Sequence, residues 1–129
     1  MELSMNNDQL SIKFPILKRT LDFSVRTIAI ANTLPKTPAG FAFASQVVRS
    51  GTSIGANLHE AQIALEKKVF IHCLTISLKE ARETKYWLMV ILGSELVEKK
   101  EITELIDEID EIVKILFAII KSSAKRIVH

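Results

Sequence analysis

The sequence has few of the residues that most often interrupt regular structure. Its 129 residues include only 4 Gly and 3 Pro, too few turn-forming residues for a fold of many short strands. Aromatic residues make up 6% of the chain and hydrophobic residues 48%, so the core must be mainly aliphatic. The length suits one domain. These features predict a single helical domain covering residues 1–129.

Disulfides and membrane spans are also missing. The single cysteine, Cys73, excludes an internal disulfide, and the sequence shows no secretory signal. A reducing, cytoplasmic location is therefore expected. No segment approaches the ~18 uninterrupted apolar residues that a membrane span needs, so no membrane association is predicted.

The sequence also lacks the patterns that bind metals or phosphates. A di-metal site in a helical bundle uses Glu-x-x-His pairs. None of His59, His72 and His129 has a glutamate three positions earlier. Gly55 is followed by Ala-Asn rather than by the lysine and hydroxyl of a P-loop. No metal, no cofactor and no catalytic residue is predicted.

Apolar residues at helical spacing predict four helices, at about residues 12–34, 38–64, 66–92 and 98–125. Thr37 suits the N-cap of the second helix and Pro38 its first position. Residues 1–11 are polar and are not expected to form an element. Short turns between long helices predict an all-α, antiparallel, up-down-up-down four-helix bundle.

Each predicted helix has an apolar seam that should face the core. In the first helix the seam is Leu17, Leu21, Ser24, Ile28 and Ala31, joined by Val25. In the second it is Ala44, Val47, Gly51, Ile54, Leu58, Ala61 and Leu65. In the third it is Phe70, Leu74, Ser77, Ala81, Thr84, Leu88 and Ile91. In the fourth, the clearest, it is Ile102, Leu105, Ile109, Ile112, Leu116 and Ile119.

The stretch Gly51-Thr52-Ser53-Ile54-Gly55 allows two interpretations. As G-x-S-x-G it resembles a hydrolase nucleophile elbow, which needs a strand before Ser53 and a parallel sheet around it. The chain offers no other strands from which to build that sheet. As G-x-x-x-G it predicts a helix thin enough for another helix to lie close. Each mid-helix glycine costs about 0.5–1 kcal/mol relative to alanine, and close packing would offset that cost. We therefore predict packing and no enzymatic activity.

Polar residues form a stripe on each of the two central helices. On the second helix three-and-four spacing connects Gln46, Arg49 or Ser50, Ser53, Asn57 and Glu60. On the third it connects Ser77, Glu80, Glu83 or Thr84, and Trp87. The stripes either face solvent or face another helix or subunit, with Arg49 bound by Glu80 or Glu83. The residues predicted to pack helices or subunits together are Arg49, Gly51, Ser53, Gly55, Asn57, Glu60, Glu80, Glu83 and Trp87.

Charge is nearly balanced but unevenly distributed. The net charge is +2, yet residues 94–111 carry eight acidic side chains against two basic, and residues 112–129 carry four basic and none acidic. The helix dipole favours acidic residues near the start of a helix and basic residues near its end, so a solvated helix with no binding partner would have this distribution. Alternatively, cations near the start of the first helix and the end of the last form one nucleic-acid patch. Its members would be Lys18, Arg19, Arg26, Lys121, Lys125 and Arg126.

The segments VVRSGTSIGANLHEA and SLKEARETKYWL resemble the small bacterial four helix bundle family, also called the 23S rRNA-intervening-sequence protein family. The resemblance runs from about Phe14 to Arg126. It implies a left-handed four-helix bundle that assembles as a homopentamer and has no settled activity. A related protein, the accessory variability determinant of diversity-generating retroelements, is a more basic pentamer that binds nucleic acid and a reverse transcriptase. The residues that match the family block are Arg49, Ser50, Thr52, Ser53, Ile54, Ala56, Asn57, Glu60, Ser77, Glu80 and Glu83.

The functional prediction is a non-enzymatic homo-oligomer, a pentamer by the resemblance, that binds structured RNA or DNA through basic patches. The alternative is a protein–protein interaction scaffold with no nucleic-acid role. Binding through phosphates weakens steeply as salt rises, whereas an apolar protein interface does not, so salt dependence separates the two.

Overall fold

Four α-helices form the fold. The computed structural model describes residues 12–128, with side-chain surroundings up to residue 124. The helices are α1 (Phe14–Thr33), α2 (Pro38–Gln62), α3 (Lys67–Ser94) and α4 (Lys99–Val128). No strand occurs among residues 12–128, so the predicted all-α class is confirmed. Residues 1–11, for which no element was predicted, lie outside the described residues.

The helices pack in a closed ring in chain order. Each helix contacts the next, and α1 contacts α4, over a shorter stretch than the other neighbouring pairs. Thr27 of α1 lies beside Gly51 of α2, and Thr20 lies beside Gly55, so these two helices run antiparallel. Within the described residues the backbones of α1 and α3 do not approach each other, which places these two helices on opposite sides of the bundle. The predicted left-handedness stays a prediction.

The core is aliphatic, as the composition suggested. The seams predicted for α3 and α4 are buried, except that Ile119 of α4 is only partly so. Phe23 is the one aromatic residue among the largest side chains that are fully buried. Full burial of one large apolar side chain contributes about 1.5–3 kcal/mol, so this core supplies the main driving force for folding.

Two predictions about the core are wrong. In α1 the structure buries Phe23 and Ile30, whereas Leu21, Val25 and Ile28 of the predicted seam are 46–61% exposed. The reason is that α1 is apolar on two sides, and the buried side is the one that carries small threonines opposite the α2 glycines. Leu65, assigned to the α2 seam, is fully exposed because α2 ends at Gln62 and Leu65 lies in the following turn.

The turn between α1 and α2 depends on a threonine cap and a glycine. The Thr37 hydroxyl accepts a hydrogen bond from the Gly40 backbone N–H at 3.1 Å, which satisfies one free donor of the first turn. Pro38 occupies the first turn, as predicted. A Cβ atom on Gly40 would overlap the carbonyl oxygen of Pro35, so only glycine lets the helix start this close to the turn. Across the described part of the chain, no helix is both long enough and apolar enough to span a bilayer.

Candidate functional site

The two glycines of the G-x-x-x-G pattern face α1. A Cβ atom at Gly51 would lie 2.6 Å from Cγ2 of Thr27, and one at Gly55 would lie 3.2 Å from Oγ1 of Thr20. The Ser24 hydroxyl reaches the Gly51 carbonyl oxygen at 3.4 Å. The pattern therefore marks a place where α1 and α2 approach each other closely.

Ser53 is not in the geometry of a nucleophile elbow. It lies in the middle of α2, with no strand before it, and its hydroxyl donates to the Arg49 carbonyl oxygen at 2.7 Å. His59, one turn further along α2, is hydrogen-bonded through Nδ1 to the Gly55 carbonyl oxygen of the same helix. Within the described residues no three His, Cys, Asp or Glu side chains form a group that could hold a metal ion.

A polar cluster joins α2 to α3 at the surface. The Arg49 guanidinium lies 3.4 Å from Glu80, pairs with Glu83 and donates to Gln46 at 3.1 Å. The Trp87 indole N–H donates to Glu83 at 3.2 Å, so an aromatic ring borders the cluster. The side chains of Arg49, Glu80 and Glu83 are 48%, 15% and 31% exposed, which limits each ion pair to about 0–1 kcal/mol. The polar stripes of the two helices thus face each other here.

Beneath the cluster, buried hydroxyls complete the contact between α2 and α3. Thr84 donates to Ser50 at 2.8 Å, and Ser77 donates to the Ile54 carbonyl oxygen at 2.7 Å. Among the described residues every buried side-chain nitrogen and oxygen has a hydrogen-bond partner. Because no buried polar atom is left unpaired, the interior shows no polar site awaiting a ligand.

The residues predicted to pack helices or subunits therefore separate into three groups and one isolated residue, Glu60. Arg49, Glu80, Glu83 and Trp87 come together, whereas Gly51 and Gly55 face the other way, toward α1. Ser53 and Asn57 bond within α2, the Asn57 amide donating to the Ser53 carbonyl oxygen at 2.8 Å. Glu60 is exposed beside a groove between α1 and α2.

The cations predicted on α1 do not form a free basic patch. Arg19 donates to both carboxylate oxygens of Glu108 on α4, at 2.9 and 2.7 Å. This hydrogen bonding raises the pKa of Arg19 above its ordinary value, against the opposing effect of desolvation, and Glu111 adds a smaller Coulombic contribution. The acidic half of α4 thus neutralises a residue that the sequence suggested for nucleic-acid binding.

Two other members of the predicted patch also lie beside acids. Lys18 pairs with Asp22 at 2.8 Å, and Arg26 lies 4.0 Å from Glu104. Lys121 is exposed and makes no ion pair within the described residues. The side chains of Lys125 and Arg126 lie outside them.

The surface of α1 that faces away from the bundle carries an exposed row of large apolar side chains, here called the apolar row: Phe14, Leu21, Val25 and Ile28. Their exposed fractions are 63%, 56%, 61% and 46%. The spacing of seven, four and three residues places them along one line. An open groove of about 620 Å³ lies between the start of α1 and the end of α2, bordered by Phe14, Leu21 and the exposed Ile63. Sequence analysis had assigned most of this row to the core; the second apolar side of α1 was the available signal.

Comparison with known proteins supports the family resemblance. The family model described as 23S rRNA-intervening sequence protein matches residues 13–118. This chain belongs to that family. The crystal structure of a protein with unknown function from the S23 ribosomal protein family of Bacteroides thetaiotaomicron is similar, with a TM-score of 0.77 and 38% identity. The similarity covers 82% of this chain and 98% of that one. No curated protein matches the sequence.

The 23S rRNA-intervening-sequence match covers α1, α2, α3 and the greater part of α4. It includes the apolar row and the Arg49 cluster, but it ends before Lys121. The last cations of the predicted patch therefore lie beyond the matched region. The structural neighbour is described as having unknown function, and the family description names no enzyme class.

Proposed function

We propose that this family member is a non-catalytic, self-associating bundle whose copies pack through the apolar row on α1. The row itself carries the proposal. Four large apolar side chains on one helix remain about half exposed in the single chain, although burying each would contribute up to about 1.5–3 kcal/mol. An exposed apolar surface of this kind is typical of an interface.

The arrangement of the row favours a helix as the contacting element. Spacing of seven, four and three residues is that of a seam between helices. The groove between α1 and α2 continues the apolar surface beside it. A second copy carries the same row and can place it in this groove, a head-to-tail contact that can close into a ring, whereas row against row would stop at two copies. The family resemblance implies five copies, and we propose that number.

The ion pairs of α1 also favour self-association over RNA binding through the predicted patch. Arg19 and Arg26 are paired with acids of α4, so α1 presents more apolar than positive surface. RNA binding remains a second candidate, on a different face that is described below. A scaffold for another protein is the alternative in which the apolar row binds a foreign chain.

Sedimentation velocity tests self-association directly. The wild-type protein is expected to sediment as one oligomer, and the variant Leu21→Glu/Val25→Glu as a folded monomer, since two buried carboxylates would disrupt the interface. Met89→Glu is the matched control, because Met89 is 52% exposed on α3, on the opposite side of the bundle. It should leave the oligomer intact. Circular dichroism establishes that every variant is helical.

The proposal fails if the wild-type protein sediments as a monomer at high micromolar concentration. It also fails if Leu21→Glu/Val25→Glu retains the wild-type mass. Equal dissociation by Met89→Glu would place the interface elsewhere.

A further inference from the structure

The outward face of α3 carries a second row that the sequence analysis did not identify, here called the basic stripe: Lys68, His72, Thr75, Lys79 and Arg82. The spacing of four, three, four and three residues places all five on one face of the helix. Every one of them is exposed. The stripe contains three cations and no acidic residue, so it is positive at each end, with His72 and Thr75 between.

The cations of the stripe are free, unlike those of α1. Lys68, Lys79 and Arg82 make no ion pair or side-chain hydrogen bond within the described part of the chain. The nearby carboxylates of Glu80 and Glu83 turn toward α2, where Arg49 binds both. The stripe therefore keeps its charge, whereas the cations of α1 are neutralised.

In an oligomer formed through α1, the basic stripe on α3 would remain accessible to a ligand. Helices α1 and α3 lie on opposite sides of the bundle, since their backbones do not approach each other in the described residues. An oligomer held together through α1 would leave α3 of every copy on its outside. Several stripes could then act on one extended anionic partner.

We propose that the basic stripe binds the phosphate backbone of a nucleic acid. At ~1.5 Å rise per residue, Lys79 and Arg82 lie about 4.5 Å apart along the axis, and Lys68 lies about 16 Å from Lys79. The stripe thus contacts phosphates at two separated points. Tyr86 continues the basic stripe and is 59% exposed; its ring contacts Trp87 edge to face, and its open part is available for stacking on a base. A membrane-binding face would place bulky apolar residues among the cations. The five positions of the stripe contain none, but Val69 beside Lys68 is 45% exposed, so the test below includes a membrane probe.

The inference depends on the proposed function only for the gain in avidity that several stripes provide. A single bundle presents the same cations. Self-association is measured by sedimentation without nucleic acid, so each idea can fail alone.

Fluorescence anisotropy with full-length protein tests the stripe. The probes are a fluorescein-labelled RNA hairpin and a DNA hairpin of the same sequence, titrated over a series of salt concentrations. The test variant is Lys68→Gln/Lys79→Gln/Arg82→Gln. The matched control, Lys36→Gln/Lys99→Gln/Lys100→Gln, removes the same charge from exposed residues outside the stripe.

The wild-type protein should bind at least one hairpin, with affinity falling steeply as salt rises. Each phosphate contact contributes about 0.7–0.9 to the slope of log K against log salt, so the stripe variant should lose about 2–3 from that slope. Its Kd at low salt should rise about tenfold or more, whereas the control should keep a slope near that of the wild type.

Equal losses in the two triple variants would overturn the inference, because net charge alone would then explain binding. Absence of hairpin binding by the wild-type protein at low salt would overturn it as well. So would binding to phosphatidylserine vesicles without binding to either hairpin. None of these results would affect the sedimentation test of self-association.

Discussion

Alanine at Gly51 is expected to destabilise the bundle, whereas the same change at Gly93 is expected to stabilise it. Both glycines lie within helices and neither has a positive φ angle. At Gly51 the new methyl group would lie 2.6 Å from Cγ2 of the buried Thr27. At Gly93 it would meet no atom within 4 Å. The two sites therefore differ in packing and hardly in backbone conformation.

The difference between the two variants isolates the packing cost. Alanine raises helix propensity by about 0.5–1 kcal/mol in a helix interior; this gain applies in full at Gly51 and in part at Gly93, the next-to-last residue of α3. Forcing an extra methyl group into a packed core costs about 1–3 kcal/mol, and this applies only at Gly51. Gly51→Ala should thus be less stable than Gly93→Ala by about 0.5–3 kcal/mol. Gly55→Ala should fall between them, because its nearest contact is 3.2 Å, to Thr20.

Urea unfolding, followed by circular dichroism at one fixed protein concentration, measures these differences. Thr27→Ser removes the methyl group that Gly51→Ala would meet. The double variant should therefore recover part of the loss, a coupling that a double-mutant cycle quantifies. If Gly51→Ala proved as stable as Gly93→Ala, the close approach of α1 and α2 described here would be incorrect.

Two further changes test other contacts by the same unfolding measurement. Gly40→Ala should be the most damaging glycine substitution, because its methyl group would overlap a backbone carbonyl oxygen that cannot rotate away; wild-type stability would refute this account of the first turn. Arg19→Ala should cost only about 1 kcal/mol or less, because the side chains of Arg19 and Glu108 are 37% and 23% exposed. Lys18→Ala, which removes a more exposed pair, is its control and should have a smaller effect.

The sequence was sufficient to predict the helices with one apolar side. In α3 and α4 a single seam is apolar, so the choice of the buried face was unambiguous. In α1 two faces compete: Phe23 and Ile30 on one, Leu21 and Val25 on the other. The face with Phe23 and Ile30 is buried because Gly51 of α2 leaves room for Thr27 on that face. This fit depends on the residues of the neighbouring helix, so the periodicity of α1 alone could not predict it.

Pairs of charges were predictable only where two helices were already expected to face each other. Arg49 could be placed near Glu80 and Glu83 because three-and-four spacing aligned a polar stripe on each helix. The pairing of Arg19 with Glu108 was not foreseen, although the acidic cluster of α4 was noticed. To predict this pair, one must know which face of α1 is turned toward α4. The seam predicted for α1 gave the wrong face, so the pair was not predicted.

The wrong buried face of α1 also explains why the sequence predicted a basic patch on α1 and missed the basic stripe on α3. With Leu21 and Val25 inside, Arg19 and Arg26 would be solvent-facing and free to bind phosphates. In the structure α1 turns its apolar row outward and directs these arginines at Glu108 and Glu104. Two acids of α4, Glu104 and Glu108, are thereby engaged with α1, while Arg49 engages the acids of α3 that face α2. Within the described residues the three cations of the basic stripe have no acidic partner, so the fold places an apolar face and a positive face on opposite sides of the bundle.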